Sequence, residues 1–284
     1  MKKRHTFLFS ILWVILATAI SLVFLSMRQC ASTLTVKHYT VSADAIHTPL
    51  RIAQLSDLHS HVFGEDNRLL AETVARQQPD LIVMTGDMMD RKDAGPDVVC
   101  DLIRQLQNVA PIFYCYGNHE KGWMVANCAD LTPLLSEAGA VVLDTAFADI
   151  TVKNQSLRIG GFHGYYRYWG MQETTGEEET FADVFENTDL FKLLLNHIPT
   201  VWVDWGKIDE LPVDLVLSGH YHGGQIRLPL IGGVYAPYIG LFPNNAEGMY
   251  VGDTATAVIS AGLGSSPGIP RINNLPQIVV IDLS

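Results

Sequence analysis

The most restrictive feature of this chain is a pattern that occurs five times: a short apolar run stops at a cluster of small, carboxylate, amide or imidazole residues. Leu50–Leu55 leads into Ser56-Asp57-Leu58-His59, and Asp80–Met84 into Thr85-Gly86-Asp87. Pro111–Tyr116 leads into Gly117-Asn118-His119-Glu120, Phe191–Leu195 into Asn196-His197, and Val213–Leu217 into Ser218-Gly219-His220-Tyr221-His222. Runs this short, bounded by Gly and polar residues, read as buried strands. Helical apolar spacing is found at Asn67–Gln77, which Pro79 closes, at Val98–Leu106 and at Thr132–Ala138. Further strands are expected at Ala140–Leu143, Leu157–Phe162, 255–260 and 277–282. The alternation predicts an α/β body: central mixed β-sheets in a two-sheet sandwich, flanked by helices, with polar side chains converging at strand ends.

The N-terminus obeys a different rule. Met1-Lys2-Lys3-Arg4-His5 is a basic tip, and Thr6 to Met27 carries no charge. As a helix that stretch rises about 33 Å, enough for a hydrocarbon core of roughly 30 Å. A cleaved signal peptide is the rival reading, with Ala17-Thr18-Ala19 as its best processing site. The stretch is long for a signal segment, and the residues before Cys30 do not suit lipidation. A retained transmembrane signal anchor is therefore favoured. Lys2, Lys3 and Arg4 would stay cytoplasmic, placing a single-pass protein in the cell membrane with its main body on the extracytoplasmic side. The expected domains are 1–30 (tip and anchor), 31–49 (linker and leading segment) and 50–284 (the α/β body).

Composition removes several classes. A net charge of −11 disfavours a nucleic-acid-coating surface, so no stable nucleic-acid partner is expected. With 48% hydrophobic residues the chain has ample material for a core, against disorder. Cys30, Cys100, Cys115 and Cys128 form no CxxC and no zinc-finger spacing, so no disulfide framework is expected, although one bridge is left open. Gly164–Asp189, with Tyr165, Tyr166, Tyr168, Trp169 and an acidic run, suits either an exposed lid or an aromatic cluster packed beneath an excursion. The sequence carries no signal for oligomeric state.

Taken singly, an Asp at a strand end is most often a turn residue, and a lone His a satisfied structural one. Together Asp57, His59, Asp87, Asn118, His119, His197, His220 and His222 offer more donors than one structural ion needs. Mixed carboxylate, amide and imidazole ligands suit Mn, Fe or Zn, and a carboxylate can bridge two cations. Two divalent ions are expected, Mn foremost with Fe or Zn as alternatives. Paired ions of this kind polarise phosphoryl groups and activate water.

These motifs resemble the calcineurin-like metallophosphoesterases. The resemblance rests on Asp57-Leu58-His59, Gly86-Asp87-Met88-Met89-Asp90, Gly117-Asn118-His119-Glu120, His197 and Gly219-His220-Tyr221-His222-Gly223-Gly224-Gln225, in that order over 50–225. It is nearest to bacterial membrane-anchored phosphoesterases with an N-terminal hydrophobic segment. The resemblance implies that Asp57, His59 and His222 bind the first ion, that Asp87 bridges, and that Asn118, His197 and His220 bind the second. It implies that His119 is catalytic, protonating the leaving oxygen, with Asp90 orienting it. It also implies attack on phosphorus by a hydroxide that the ion pair activates. His61 has no fixed role in the family. Arg91 and Lys92 stand where a second phosphate could bind or where an ordinary exposed pair would lie.

The expected activity is hydrolysis of a phosphodiester at the cell envelope, on a small-molecule or lipid-linked substrate. Alternatives are a phosphomonoesterase, a nucleotide-lipid pyrophosphatase or a non-catalytic metal-dependent binding or scaffold protein. Protein phosphatase is disfavoured because no Gly follows Asp90-Arg91. The non-catalytic reading expects a lost ligand, bridge or His119, and all are present.

Overall fold

The computed structural model describes residues 2–166, 176–236, 239–266 and 268–284. Helix α1 (Lys2–Ser32) is followed by β1 (Thr35–Val41), β2 (Leu50–Leu55), α2 (Arg68–Arg76), β3 (Leu81–Thr85), α3 (Asp97–Leu106) and β4 (Ile112–Cys115). Then come α4 (Asn118–Asn127), α5 (Thr132–Ala138), β5 (Ala140–Val142), β6 (Ala146–Val152), β7 (Gln155–Phe162), α6 (Gly176–Glu186), β8 (Phe191–Asn196), α7 (Thr200–Val203) and β9 (Leu215–Ser218). Four two-residue strands follow: β10 (Arg227–Leu228), β11 (Gly232–Gly233), β12 (Tyr235–Ala236) and β13 (Gly240–Leu241). The chain closes with β14 (Gly248–Val251), β15 (Thr256–Ile259) and β16 (Gln277–Leu283).

Two six-stranded mixed sheets form the body, ordered β1-β16-β2-β3-β4-β5 and β14-β15-β9-β8-β7-β6. Their strands alternate in which core they feed, as the period of two demands. In β3, Leu81 and Val83 enter the core between the sheets, while Ile82 and Met84 face the helices. In β8, Leu193 and Leu195 meet that same middle core, and Leu194 turns to the far side. The result is a sandwich with helices outside. On one side α3 buries Val99, Cys100, Leu102, Ile103 and Leu106. On the other, Phe181 and Phe185 of α6 pack with Trp202 and Tyr166. Each fully buried apolar side chain of this size contributes about 1.5–3 kcal/mol.

The expected two-sheet architecture is present, and three local features extend it. Thr35–Val41, in the leading segment, is an edge strand paired in parallel with β16. Its exposed Lys37, His38 and Thr40 among half-buried neighbours disguise it as a polar stretch. The hairpin partner β6 is half-buried for the same reason. Within Gly164–Asp189, the described Tyr166 is buried beside α6, while Tyr168 and Trp169 lie outside the described residues. All four cysteines are free.

Within α1, Phe9–Ser32 is long and apolar enough to cross a membrane, with mean hydropathy 2.3. Leu12, Ile15, Leu16, Leu22 and Phe24 are all exposed, so the body does not cover this surface.

Candidate metal centre

Four parallel strands, β2, β3, β8 and β9, end on the same edge of the sandwich, together with β4. Asp57 and His59 follow β2, Asp87 follows β3, and Asn118 and His119 open α4 after β4. His197 follows β8, and His220 and His222 follow β9. The turns that aim these side chains are unusual. Asp57, His59, Asp87, His220 and His222 all have left-handed backbones, with φ between 47° and 72°. For non-Gly residues this is uncommon and costs roughly 1–2 kcal/mol each. Such strain persists where surrounding contacts over-determine the backbone, and it clusters at functional sites.

Those contacts are visible. Asp57 accepts the His220 backbone N–H at both oxygens (2.9 and 3.1 Å), and Asp87 Oδ1 accepts the His119 N–H at 2.7 Å. Gly219 must be Gly, since a Cβ there would overlap the Ser56 hydroxyl and the Asp57 carboxylate.

Two groups of acceptors converge. In the first, His59 Nε2 and His222 Nε2 are 3.2 Å apart, and Asp57 Oδ1 is 3.5 Å from His222 Nε2. In the second, His197 Nε2 lies 3.2 Å from Asp87 Oδ2 and 3.1 Å from His220 Nδ1. Each set keeps its candidate ligand atoms within 4.8 Å of one another. A third, overlapping set joins His59, Asp90 and His119. His197 Nδ1 sits 2.8 Å from the Thr85 carbonyl, which can only accept, so Nδ1 is the donor and Nε2 is the nitrogen that faces the site. Asn118 Oδ1 is buried and has no hydrogen-bond partner. Facing lone pairs and an orphaned amide oxygen fit divalent cations well, and the chemistry of the donor set agrees.

Titration points the same way. Burial lowers His59 to about 4 and His220 to about 3, and drives His222 well below its usual value. These imidazoles are neutral, the form that ligates. Burial would also lower His197, but the Asp87 carboxylate outweighs it and holds the ring up at about 9. Burial likewise raises Asp87, yet His197 pulls it well below the carboxylate range. Burial lifts Asp57 to about 6. The proton that His197 holds at neutral pH therefore stands where a cation would.

The structure brings the seven candidate ligands, His119 and Asp90 to this edge, with Arg91 and Lys92 beside them. His119 Nε2 is 4.0 Å from Asp87 Oδ2, and its Nδ1 receives the Arg91 backbone N–H at 3.3 Å. Asp90 Oδ2 lies 3.7 Å from His119 Nδ1 and 3.9 Å from His59 Nδ1, between the two rings. Arg91 and Lys92 are exposed and line the cavity over the site, about 540 Å³, with Tyr235, Ser266 and Ile269. His61 points elsewhere: its Nε2 donates to the Ala31 carbonyl at the end of α1, at 2.9 Å.

Sequence reasoning passed over three supports. Buried Glu120 accepts from the N–H groups of Asp87, Met88 and Gly117 and from the Tyr114 hydroxyl. Asn274 donates to the His222 carbonyl at 2.6 Å. Arg271, 3% exposed, ties the Ala261 and Gly264 carbonyls over Asp57. The Glu120 signal is in the sequence as a capping-type spacing from Gly117. Asn274 and Arg271 have no local signal.

A mixed sandwich with two buried sets of carboxylate and imidazole ligands at one edge defines a metal-dependent hydrolase architecture. The profile of the calcineurin-like phosphoesterase family matches residues 50–224, and the chain belongs to that family. It is a metal-dependent phosphoesterase. Among similar proteins is the metallophosphoesterase YkuE of Bacillus subtilis, 31% identical over 238 residues, covering 82% of this chain and 78% of YkuE. Phosphodiesterase YaeI of Escherichia coli is 28% identical, covering 83% of this chain and 82% of YaeI. A solved structure of phosphopantetheinyl hydrolase from Mycobacterium tuberculosis aligns with TM-score 0.45 and 15% identity, over 73% of this chain and 87% of that one.

Proposed function

We propose that the protein hydrolyses a phosphodiester at the cell envelope, using two divalent ions, foremost Mn²⁺ with Fe or Zn as alternatives. Asp57, His59 and His222 would hold one ion, Asn118, His197 and His220 the other, with Asp87 shared. The observation that carries this reading is the pair of convergent acceptor sets, 3.1–3.5 Å across, beside His119. Bound ions would neutralise phosphoryl oxygens and activate water for attack on phosphorus.

The chain's own groups do the rest. Because His119 Nδ1 receives the Arg91 N–H, its proton sits on Nε2, the nitrogen on the side of Asp87. That N–H can be given to the leaving oxygen. Asp90, near both His119 and His59, supports positive charge on the ring that has to be re-protonated. Arg91 and Lys92 supply positive charge at the cavity rim, suited to an anionic substrate.

The name of the Escherichia coli relative supports the diester preference. Lys2, Lys3 and Arg4 before the apolar part of α1 support a membrane-anchored type, with the body on the extracytoplasmic side. The test is the purified full chain in detergent, stripped and reloaded with Mn²⁺, on a bis-aryl phosphodiester and its monoester. Diester turnover exceeding monoester turnover supports the reading. Monoester preference replaces it with a phosphatase, and no metal-dependent turnover of either overturns it. Protease digestion of intact spheroplasts should remove the body, and protection of the body would reverse the orientation.

A further inference from the structure

The end of α1 is docked on the body close to the metal centre. The Asn273 backbone N–H donates to Ser26 Oγ at 2.7 Å, His61 holds the Ala31 carbonyl, and Cys30 is buried. Ser26 lies within the uncharged segment that ends at Met27, about 9 Å of helix rise before Ser32. With α1 in a bilayer, the body surface around Asn273 therefore sits at the boundary of the hydrocarbon.

Around Asn273 itself the surface is polar, with Arg227 paired to Glu247 at 2.7 Å beside Gln29 and Gln277, and the apolar side chains lie beyond it at the hairpin tips. The Asn273 side chain donates to the Arg227 carbonyl, where the β10–β11 hairpin starts. The tip of that hairpin exposes Leu230 and Ile231, at 107% and 63%. The next hairpin, β12–β13, is tied to the first through the Phe242 N–H and the Val234 carbonyl, and it leads into the exposed Leu241 and Phe242. Leu230 and Phe242 hold left-handed backbones, φ 69° and 55°. Neither residue suits that conformation, and neither is held by burial. Clustered exposed side chains of this kind mark a contact surface, unlike singly scattered ones.

The same hairpins reach the metal centre. Tyr235 of β12 lines the cavity with Ser266 and Ile269. On its other side the same stretch of chain, through Ser265, Pro270 and Arg271, lines a recess shared with Met27, Ala31 and His61.

We propose that the two hairpins rest in the membrane leaflet beside α1, with Leu230, Ile231, Leu241 and Phe242 in its apolar layer. The cavity then opens beside the lipid headgroups, and its phosphoester substrate is carried on a membrane lipid. The surface rests on the membrane placement of α1, and the substrate class on the phosphoesterase reading above.

The test uses the full chain with Cys128→Ser, since the other three cysteines are buried. An environment-sensitive fluorophore is placed at Leu230→Cys, in nanodiscs of phosphatidylethanolamine and phosphatidylglycerol. The control site is Val251→Cys. Val251 shares a recess with Val41 at the far end of β1, whereas Thr35 at its near end lines a recess with Ser26, so the two ends are about 20 Å apart. Quenching by doxyl-labelled lipid at position 230, and by aqueous iodide at position 251, is the expected result. Iodide quenching at 230 without lipid quenching overturns the proposal. So does protection at 230 that appears only in discs holding two copies, which would assign the surface to a second chain.

A second variant reads the substrate class: Leu230→Ser with Ile231→Ser. Turnover of the soluble bis-aryl diester should stay within about twofold, while hydrolysis of disc phosphatidylglycerol falls roughly tenfold or more. Equal losses on both substrates, or no hydrolysis of the lipid by the parent, overturn the lipid-substrate half. Loss of the bis-aryl activity in the parent would instead remove the phosphoesterase reading and leave the quenching result standing.

Discussion

Replacing Glu120 by Gln isolates what one buried carboxylate does for the metal centre. Glu120 is fully buried and acts only as an acceptor. Oε2 takes the Asp87 and Gly117 N–H groups, both at 2.9 Å. Oε1 takes the Met88 N–H at 2.8 Å and the Tyr114 hydroxyl at 2.7 Å, with the Met89 N–H at 3.4 Å. A glutamine keeps the shape but turns one oxygen into a donor. With its NH₂ at the Oε2 position, two backbone N–H groups lose their acceptor. With NH₂ at the Oε1 position, Met88 loses its acceptor and Met89 only a long 3.4 Å contact, while the Tyr114 hydroxyl can rotate to accept. The second arrangement is cheaper, and an unsatisfied buried donor plus the lost charge assistance costs about 2–4 kcal/mol. For a body of this size, 1 kcal/mol shifts Tm by about 2–4 °C, so the expected drop is about 4–16 °C. The assay is thermal unfolding in chelator, which separates the fold from the ions, followed by metal content after reloading. Tyr114→Phe removes only one bond and should lower Tm by less. A Glu120→Gln Tm within about 2 °C of the parent would refute the reasoning.

His119→Ala should retain both ions and lose about 10²–10⁴-fold in turnover. Unchanged turnover would remove His119 from proton transfer. Metal binding should compete with protons: His197, held at about 9, and Asp57, at about 6, must both lose their protons to ligate. Affinity should therefore fall as pH falls, by about tenfold per pH unit between 9 and 6 and more steeply below 6. Near neutrality about one proton is released when the His197 set is loaded and little when the Asp57 set is, which calorimetry in buffers of different ionisation enthalpy would detect, and no release would contradict the Asp87–His197 pairing. Gly219→Ala should displace Asp57 or Ser56 and abolish loading of the Asp57 set, visible as a lower metal stoichiometry. Full stoichiometry in that variant would show that the turn can yield.

The strand ends could be read without a structure because each is a local event: a short apolar run stops, and a small or ionisable residue follows. β2, β3, β4, β8 and β9 are all of this type, and so are the residues that follow them. The candidate ligand set was legible for the same reason, through motifs that matched a family rather than through any single Asp or His. The apolar stretch of α1 was equally plain, since length and lack of charge alone mark it.

Tertiary structure decided the rest. β1 and β6 are edge strands whose half-exposed residues carry little hydrophobic signal, and only pairing with β16 and β7 makes them strands. The left-handed backbones of Asp57, His59, Asp87, His220 and His222 are imposed by contacts across the site, not by residue type. Arg271 and Asn274 reach Asp57's cover and the His222 carbonyl from far along the chain, so nothing in their neighbours announces it. His61 shows the same limit: its place beside Asp57-Leu58-His59 decides no role, and only the fold sends it to the end of α1. Local sequence determines which groups are available at a strand end, but which of them face one another depends on how two sheets and a docked helix are packed.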